Sequence, residues 1–375
     1  MTKTAVSQWI YLTYRELYND VMSSTEMLAA VVPSVNERWE VKEVPTPKPK
    51  ANQVLIRIHA SGICYTDVHA TKGALGVKFP YTIGHEPAGE VVALGEGVTT
   101  RRVGDRVGVP WLQSTCGRCE WCQRGKSFFC PNHIATGINI AGGHAEYMVA
   151  YADATQLIPY GVSYDQAAPI FCAGYTVYSG LRIADPKPHE RIAVVGIGAL
   201  GHLGVQYSKA AGFETIAVTH SKDKEEFAYK LGADNVVSDG EGLLKEKGQQ
   251  GSGDSSSPSA DDAEGGGADV ILATSNSYKA TADAIKGLRP DGRVILMGVS
   301  STDTLTVSPE MLFKRARIIG STQNDREHLY EALDYVAAGK VKVMTEIFPL
   351  DEISDAYDKV ANGNVRFKAV INPTK

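Results

Sequence analysis

The sequence predicts an α/β protein in two parts, a β-rich one followed by a doubly wound parallel sheet. Three observations carry this. At 375 residues the chain exceeds one ordinary core, so two domains are expected. From Met27 to about residue 170, short alternating apolar runs are broken by Pro and Gly, a β-rich texture. From RIAVVGIGALGHLGVQYSKAAG onward the rhythm changes to apolar run, Gly-rich turn and helical segment.

Taken in order, residues 1–26 look detached from the rest of the chain. Ile10, Tyr14, Leu17, Tyr18 and Val21 would share one face of a helix, which suggests docking on a partner surface. The alternatives are a frayed arm, or a start placed upstream of Met27. With two basic and three acidic residues this stretch is no mitochondrial presequence. Residues 27–173 form the β-rich domain. In 174–315, TIAVTH, NVVS, DVILATS and RVILMGV each supply a buried parallel strand, and helical stretches alternate with them. GEGLLKEKGQQGSGDSSSPSADDAEGGG (240–267) is polar and low in complexity. It is expected to be a disordered insertion, because it cannot bury enough apolar surface to offset its ordering entropy. Residues 316–375 are expected to return to the first domain.

Composition narrows the function. A net charge of −5 disfavours nucleic acid and anionic membranes, which reward basic surfaces. No apolar run approaches the roughly 18 residues that span a bilayer, and the N-terminus has no secretory signal pattern. A cytoplasmic setting follows as an expectation, with reduced cysteines that bind metal or act in catalysis rather than pairing.

Four of the six cysteines lie within CGRCEWCQRGKSFFC. Cys116, Cys119, Cys122 and Cys130 follow C-x2-C-x2-C-x7-C, and two-residue gaps let successive sulfurs converge on one tetrahedral ion. Four thiolates leave no open position, so a zinc there is structural. An iron–sulfur cluster is the metal alternative. The remaining candidates are Cys64 in GICYTDVHA, His85 and Glu86 in TIGHEPAGEVV, and Cys172 in APIFCAGYTVY. Two thiolates and one imidazole would leave a fourth position open, the catalytic pattern. Taken singly, Cys172 reads equally well as a small buried hydrophobe and His85 as a turn residue.

GHEPAGEVVALGEGVTTRRVGDRVGV resembles the zinc signature of the medium-chain alcohol dehydrogenases, and the four-cysteine stretch follows at that family's usual place. The resemblance runs from about Met27 to the C-terminus, interrupted by the Gly/Ser-rich segment. It implies a GroES-like catalytic domain joined to a Rossmann coenzyme domain. It also implies that Cys64, His85 and Cys172 hold a catalytic zinc. Glu86 takes the place of a carboxylate that approaches the metal transiently, and Asp67 that of the carboxylate orienting the ligand histidine. Thr66 and His69 match the family's proton relay, with Thr66 accepting the alcohol proton and His69 releasing it to solvent. Tyr65 stands where the family often has His or Arg near the pyrophosphate. Thr71 is read as an opened substrate-pocket position and Trp111 as a pocket aromatic.

VVGIGALG places Gly196, Gly198 and Gly201 in G-x-G-x-x-G, with a strand before and a helix after, the setting of a dinucleotide-binding turn. Lys368 aligns with a basic residue that the family places on the pyrophosphate. The position where NAD-dependent sites carry an acid on the ribose is Thr219. Thr219, His220, Ser221 and Lys222 instead offer donors suited to a 2′-phosphate, so NADP(H) is expected over NAD(H). The expectation is a zinc-dependent alcohol dehydrogenase or aldehyde reductase with two zinc ions per subunit, assembled as a homodimer or homotetramer. A biosynthetic reductase of a conjugated aldehyde or iminium is the enzymatic alternative, and a non-catalytic zinc- and nucleotide-binding protein the remote one.

Overall fold

The computed structural model describes residues 25–246, 265–300 and 303–374. The helical face expected before Met27 lies outside them, as does most of the Gly/Ser-rich segment. The chain divides into two compact units, Met1–Cys172 with Thr345–Lys375, and Ala173–Met344.

The first unit is organised by the strand Gln53–Ile63, whose eleven residues are all buried or half-buried. Its length lets it pair antiparallel with Pro87–Leu94, Tyr147–Tyr151 and Lys368–Asn372. The resulting seven-stranded sheet continues outward through Arg106–Gly108 and Gln156–Leu157 on one side and Thr345–Pro349 on the other. One apolar cluster gathers Trp39, Ile63, Val68, Ile353 and Ile371, and a second gathers Val54, Ile56, Val91, Val107 and Met148. Immediately after Ile63 the chain turns into the helix Tyr65–Thr71, so Cys64 sits at a strand-to-helix junction.

The second unit holds a six-stranded parallel sheet. Its order is Asn235–Val237, Glu214–Val218, Arg191–Val195, Ala268–Ala273, Leu288–Leu296, Arg317–Gly320. That 3-2-1-4-5-6 order is the doubly wound arrangement, with its switch point between the first and fourth strands. The central strands are apolar without alternation because helices cover both faces: every residue of Arg191–Val195 is buried.

Two boundaries differ from the expectation. The second unit extends to Met344 rather than 315. Arg317–Gly320 completes its sheet, in register with Arg293–Leu296. The helix Arg326–Ala337 then buries Leu329, Ala332 and Leu333, and the Tyr207 hydroxyl donates to Ala332 O at 3.1 Å. Sequence could not separate these elements from the following Thr345–Pro349, which does return to the first sheet. The expected insertion is also shorter than 240–267. Gly240–Lys245 is a helix capped by Asp239, which accepts from Gly242 N at 2.8 Å, and Leu243 is fully buried. One leucine on the right face was enough to dock a helix that composition averaging had hidden.

Candidate metal centres and cofactor loop

The four clustered sulfurs come together on a lobe built from the helix Glu120–Gln123 and the turn Ser127–Phe129. A zinc ion bound at about 2.3 Å by four thiolates sets neighbouring sulfurs about 3.8 Å apart. Here Cys119 and Cys122 sulfurs lie 3.5 Å apart and those of Cys116 and Cys130 3.6 Å, with all four within 4.8 Å of one another. Backbone amides point at the sulfurs: Cys116 N donates to Cys130 Sγ and Cys119 N to Cys116 Sγ, both at 3.4 Å. These amides favour thiolates, and Cys116 is pulled down to about 6, first by the Arg118 and Cys119 N–H groups. The donor set and spacing fit a closed metal site.

The second group is Cys64, His85, Glu86 and Cys172, again within 4.8 Å of one another. Each arrives by a different device. Cys64 begins the helix Tyr65–Thr71, and its N–H is accepted by Asp67 Oδ2 at 2.8 Å, which closes the first turn. Cys172 ends the buried turn Ala168–Phe171. His85 follows Gly84, whose φ of +109° suits glycine; a Cβ there would fall 2.7 Å from the His144 ring.

The sulfurs of Cys64 and Cys172 stand 3.9 Å apart, close to the tetrahedral edge. The His85 ring is bonded through Nδ1 to Asp67 Oδ1 at 3.1 Å, and its buried Nε2 has no hydrogen-bond partner among the described residues. An orphaned imidazole nitrogen beside two sulfurs is what a metal would satisfy, and the site fits zinc. Burial alone would raise the Asp67 carboxyl, but His85 and His144 hold it well below its usual range. Cys64 is held below the usual thiol range, first by the Cys172 thiol bonded to its sulfur and then by His85.

Glu86 is wholly buried, and Oε2 is without a partner among the described residues while Oε1 accepts from Lys368 Nζ at 2.8 Å. Burial pushes its carboxyl up to about 7 against the pull of the Lys368 ammonium. Burial would likewise favour a neutral amine at Lys368, but Glu86, Cys64 and Cys172 hold the ammonium above the ordinary lysine range. Lys368, expected on a pyrophosphate, is placed beside Glu86 in the first unit. Its ammonium is buried and donates to Glu86 Oε1 and to Ile63 O at 3.0 Å, two of its three N–H groups.

The helix after Cys64 carries the rest of the expected site. Thr66 Oγ1 lies 3.6 Å from Cys64 Sγ, and His69 is one turn further on, its Nε2 buried and unpartnered among the described residues. The Tyr65 ring meets His69 edge-on at 5.1 Å, and Trp111 meets His85 edge-on at 5.4 Å. Thr71 does not open a pocket. It is buried, and its hydroxyl accepts from Trp39 Nε1 at 3.0 Å and donates to Asp67 O at 2.9 Å.

In the second unit the three glycines of the turn do three jobs. Gly196 has φ +87°; a Cβ on Gly201 would fall 1.9 Å from Gly196 O; and Gly198 faces open space. A tight turn, close helix packing and room for a phosphate are the respective consequences. At the end of the strand Glu214–Val218, Thr219 Oγ1 accepts from Ser221 N at 3.3 Å, and the Ser221 hydroxyl is bonded to Asp223. His220 and Lys222 are exposed. His220 faces a groove of about 870 Å³ that also carries Ser277 and Lys279. Sequence reading missed Lys279, which no motif marks, and missed the buried pair Ser61 and His144, which are far from any metal-ligand spacing.

A metal-binding β-rich unit and a dinucleotide-type sheet define, together, a zinc- and nicotinamide-dependent oxidoreductase. The comparisons agree. Residues 50–160 match the family described as alcohol dehydrogenase GroES-like domain, and 199–338 match zinc-binding dehydrogenase. An alcohol dehydrogenase of Geobacillus stearothermophilus is 39% identical over 92% of this chain and 99% of its own length. The solved acetophenone reductase of Geotrichum candidum with NAD is 28% identical, with TM-score 0.78 over 93% of this chain and 98% of that one. A Sinorhizobium meliloti 1021 chain solved with NADP is 28% identical, with TM-score 0.80 over 93% and 100%. The chain belongs to the zinc-dependent medium-chain alcohol dehydrogenase family and is an alcohol oxidoreductase. No helix among the described residues is long and apolar enough to cross a membrane.

Proposed function

We propose that this enzyme interconverts small alcohols and aldehydes by hydride exchange with NADP(H) in preference to NAD(H), with one catalytic and one structural zinc per subunit. The observation that carries the reading is the convergence of Cys64, Cys172 and the orphaned Nε2 of His85, backed by Asp67. Those three would hold a zinc ion, which would supply the Lewis acidity that lowers the pKa of a substrate hydroxyl. The chain's own groups do the rest. Asp67 orients His85 and raises its basicity as a ligand. Thr66, at the first turn of its helix, accepts the substrate proton through its hydroxyl, and His69, whose Nε2 is unpartnered among the described residues, passes it onward. Trp111 walls the site beside His85, edge-on to its ring.

The NADP(H) preference is supported by Thr219 in place of an acid and by His220, Lys222 and Lys279 nearby. Assembly into two or four copies is supported by the edge strand Arg317–Gly320. It has a sheet partner on one side only among the described residues, and Ile318, Leu312 and Phe313 nearby are exposed. A cytoplasmic setting is supported by six unpaired cysteines, which persist where thiols are kept reduced. The deciding experiment is NADPH and NADH oxidation against aliphatic, aromatic and unsaturated aldehydes, with and without a zinc chelator. Chelator-insensitive turnover, or none with any aldehyde, overturns the reading.

A further inference from the structure

Behind Asp67 lies a second histidine that the reaction does not use. His144 is fully buried, and its Nδ1 is 2.9 Å from Ser61 Oγ. Its Nε2 stands 3.9 Å from Asp67 Oδ2 and has no hydrogen-bond partner among the described residues. Asp67 therefore lies between two imidazoles, with His85 on Oδ1 and His144 toward Oδ2, which also accepts from Cys64 N at 2.8 Å. The ring cannot drift. It packs against Trp39 with centroids 5.3 Å apart, and it fills the space that a Cβ on Gly84 would need.

The hydrogen on this ring has a favoured place. A neutral imidazole carries one N–H, and a serine hydroxyl serves equally as donor or acceptor, whereas an ionised carboxylate only accepts. Ser61 donating to Nδ1 leaves the N–H on Nε2, aimed at Asp67. The opposite tautomer would set a lone pair against the carboxylate in a buried setting, where such repulsion is poorly screened. At 3.9 Å the contact is electrostatic rather than a full hydrogen bond.

We propose that His144, locked by Ser61, is a positioning residue that fixes the Asp67 carboxylate and through it the ring of His85. The proposal rests on the reading of Cys64, His85 and Cys172 as metal ligands. It adds a further layer to that site, Ser61 to His144 to Asp67 to His85, reaching the ligand from the far side of the unit. His85 then keeps Nε2 presented at a constant angle, because His144 adds an electrostatic restraint to the hydrogen bond by which Cys64 N already holds Asp67 Oδ2.

The test is zinc release from the intact protein to a chromogenic chelator, with Cys64→Ser identifying the kinetic phase that belongs to this site. His144→Phe keeps an aromatic ring but has no donor, and should speed that phase about 10–100-fold while leaving the four-cysteine phase unchanged. His144→Gln, which restores an N–H, should recover most of the loss. Ser61→Ala leaves the ring in place and frees its tautomer; it should give an intermediate rate, and it carries the test if the Phe variant does not fold. Equal acceleration by Phe and Gln, or no change with Phe and Ser61→Ala, overturns the proposal. A wild-type protein with no phase sensitive to Cys64→Ser would instead defeat the metal-site reading on which it rests.

Discussion

Lys368 Nζ lies 2.8 Å from Glu86 Oε1, with the two side chains 1% and 0% exposed. Gln53–Ile63 joins these distant residues by pairing with Lys368–Asn372 and with Pro87–Leu94, the strand that Glu86 precedes. Breaking a buried pair from one side strands a carboxyl that must stay charged without a partner or take up a proton, so Lys368→Met should cost about 3–5 kcal/mol in denaturant unfolding. Lys368→Met with Glu86→Gln should recover much of that. A single variant as stable as the wild type would show that the pair does not hold the sheet to the site.

Gly62 leaves the room in which the Glu86 carboxylate sits. A Cβ there would fall 2.0 Å from Glu86 Oε2 and 3.0 Å from Cδ. Gly62→Ala should therefore destabilise by about 1–3 kcal/mol, the usual cost of overpacking. The same change in a Glu86→Ala background should cost clearly less, because the clashing group is gone. Equal costs in the two backgrounds would place the strain elsewhere.

The two thiolate sites should be separable. Cys64→Ser is expected to abolish turnover while thermal unfolding stays cooperative and near the wild-type Tm. Cys119→Ser should lower Tm, because the lobe it cross-links folds around its metal. Elemental analysis should return two zinc ions per active subunit, and a value of one rules out the two-site assignment.

Steady-state kinetics with both nicotinamides should give a higher kcat/KM for NADPH. Thr219→Asp places a negative charge where a 2′-phosphate would bind and should raise the KM for NADPH by about tenfold or more, with NADH gaining. Lys279→Ala, in the groove that His220 also lines, should weaken NADPH alone. A wild-type preference for NADH contradicts the assignment.

The Gly/Ser-rich segment should be removable if its anchors are kept. Arg191 Nη1 donates to Glu246 O at 2.8 Å and to Gly267 O at 2.6 Å, and Gly267 N donates to Glu246 O at 3.3 Å, so the two ends lie side by side. Replacing residues 247–264 by a short Gly-Ser link should leave Tm and specific activity nearly unchanged, since loop entropy varies slowly with length. Extending the deletion through Gly267 should destabilise the sheet.

Sequence by itself determined what is local or periodic. The four-cysteine spacing and the glycine turn each lie within fifteen residues, and the apolar runs of the parallel strands were legible because strands covered on both faces need no alternation. Glu86 and Lys368 were each noticed, but their partnership was not, because it depends on which strands pair across the sheet. The same holds for Arg317–Gly320, whose pattern suits either sheet and whose place was set by its register with Arg293–Leu296. His144 gave no signal, since a buried histidine acquires meaning only from what surrounds it. Its approach to Asp67 exists because strand pairing brings Ser61, Gly84 and His144 into one interior, where burial makes each remaining polar contact count.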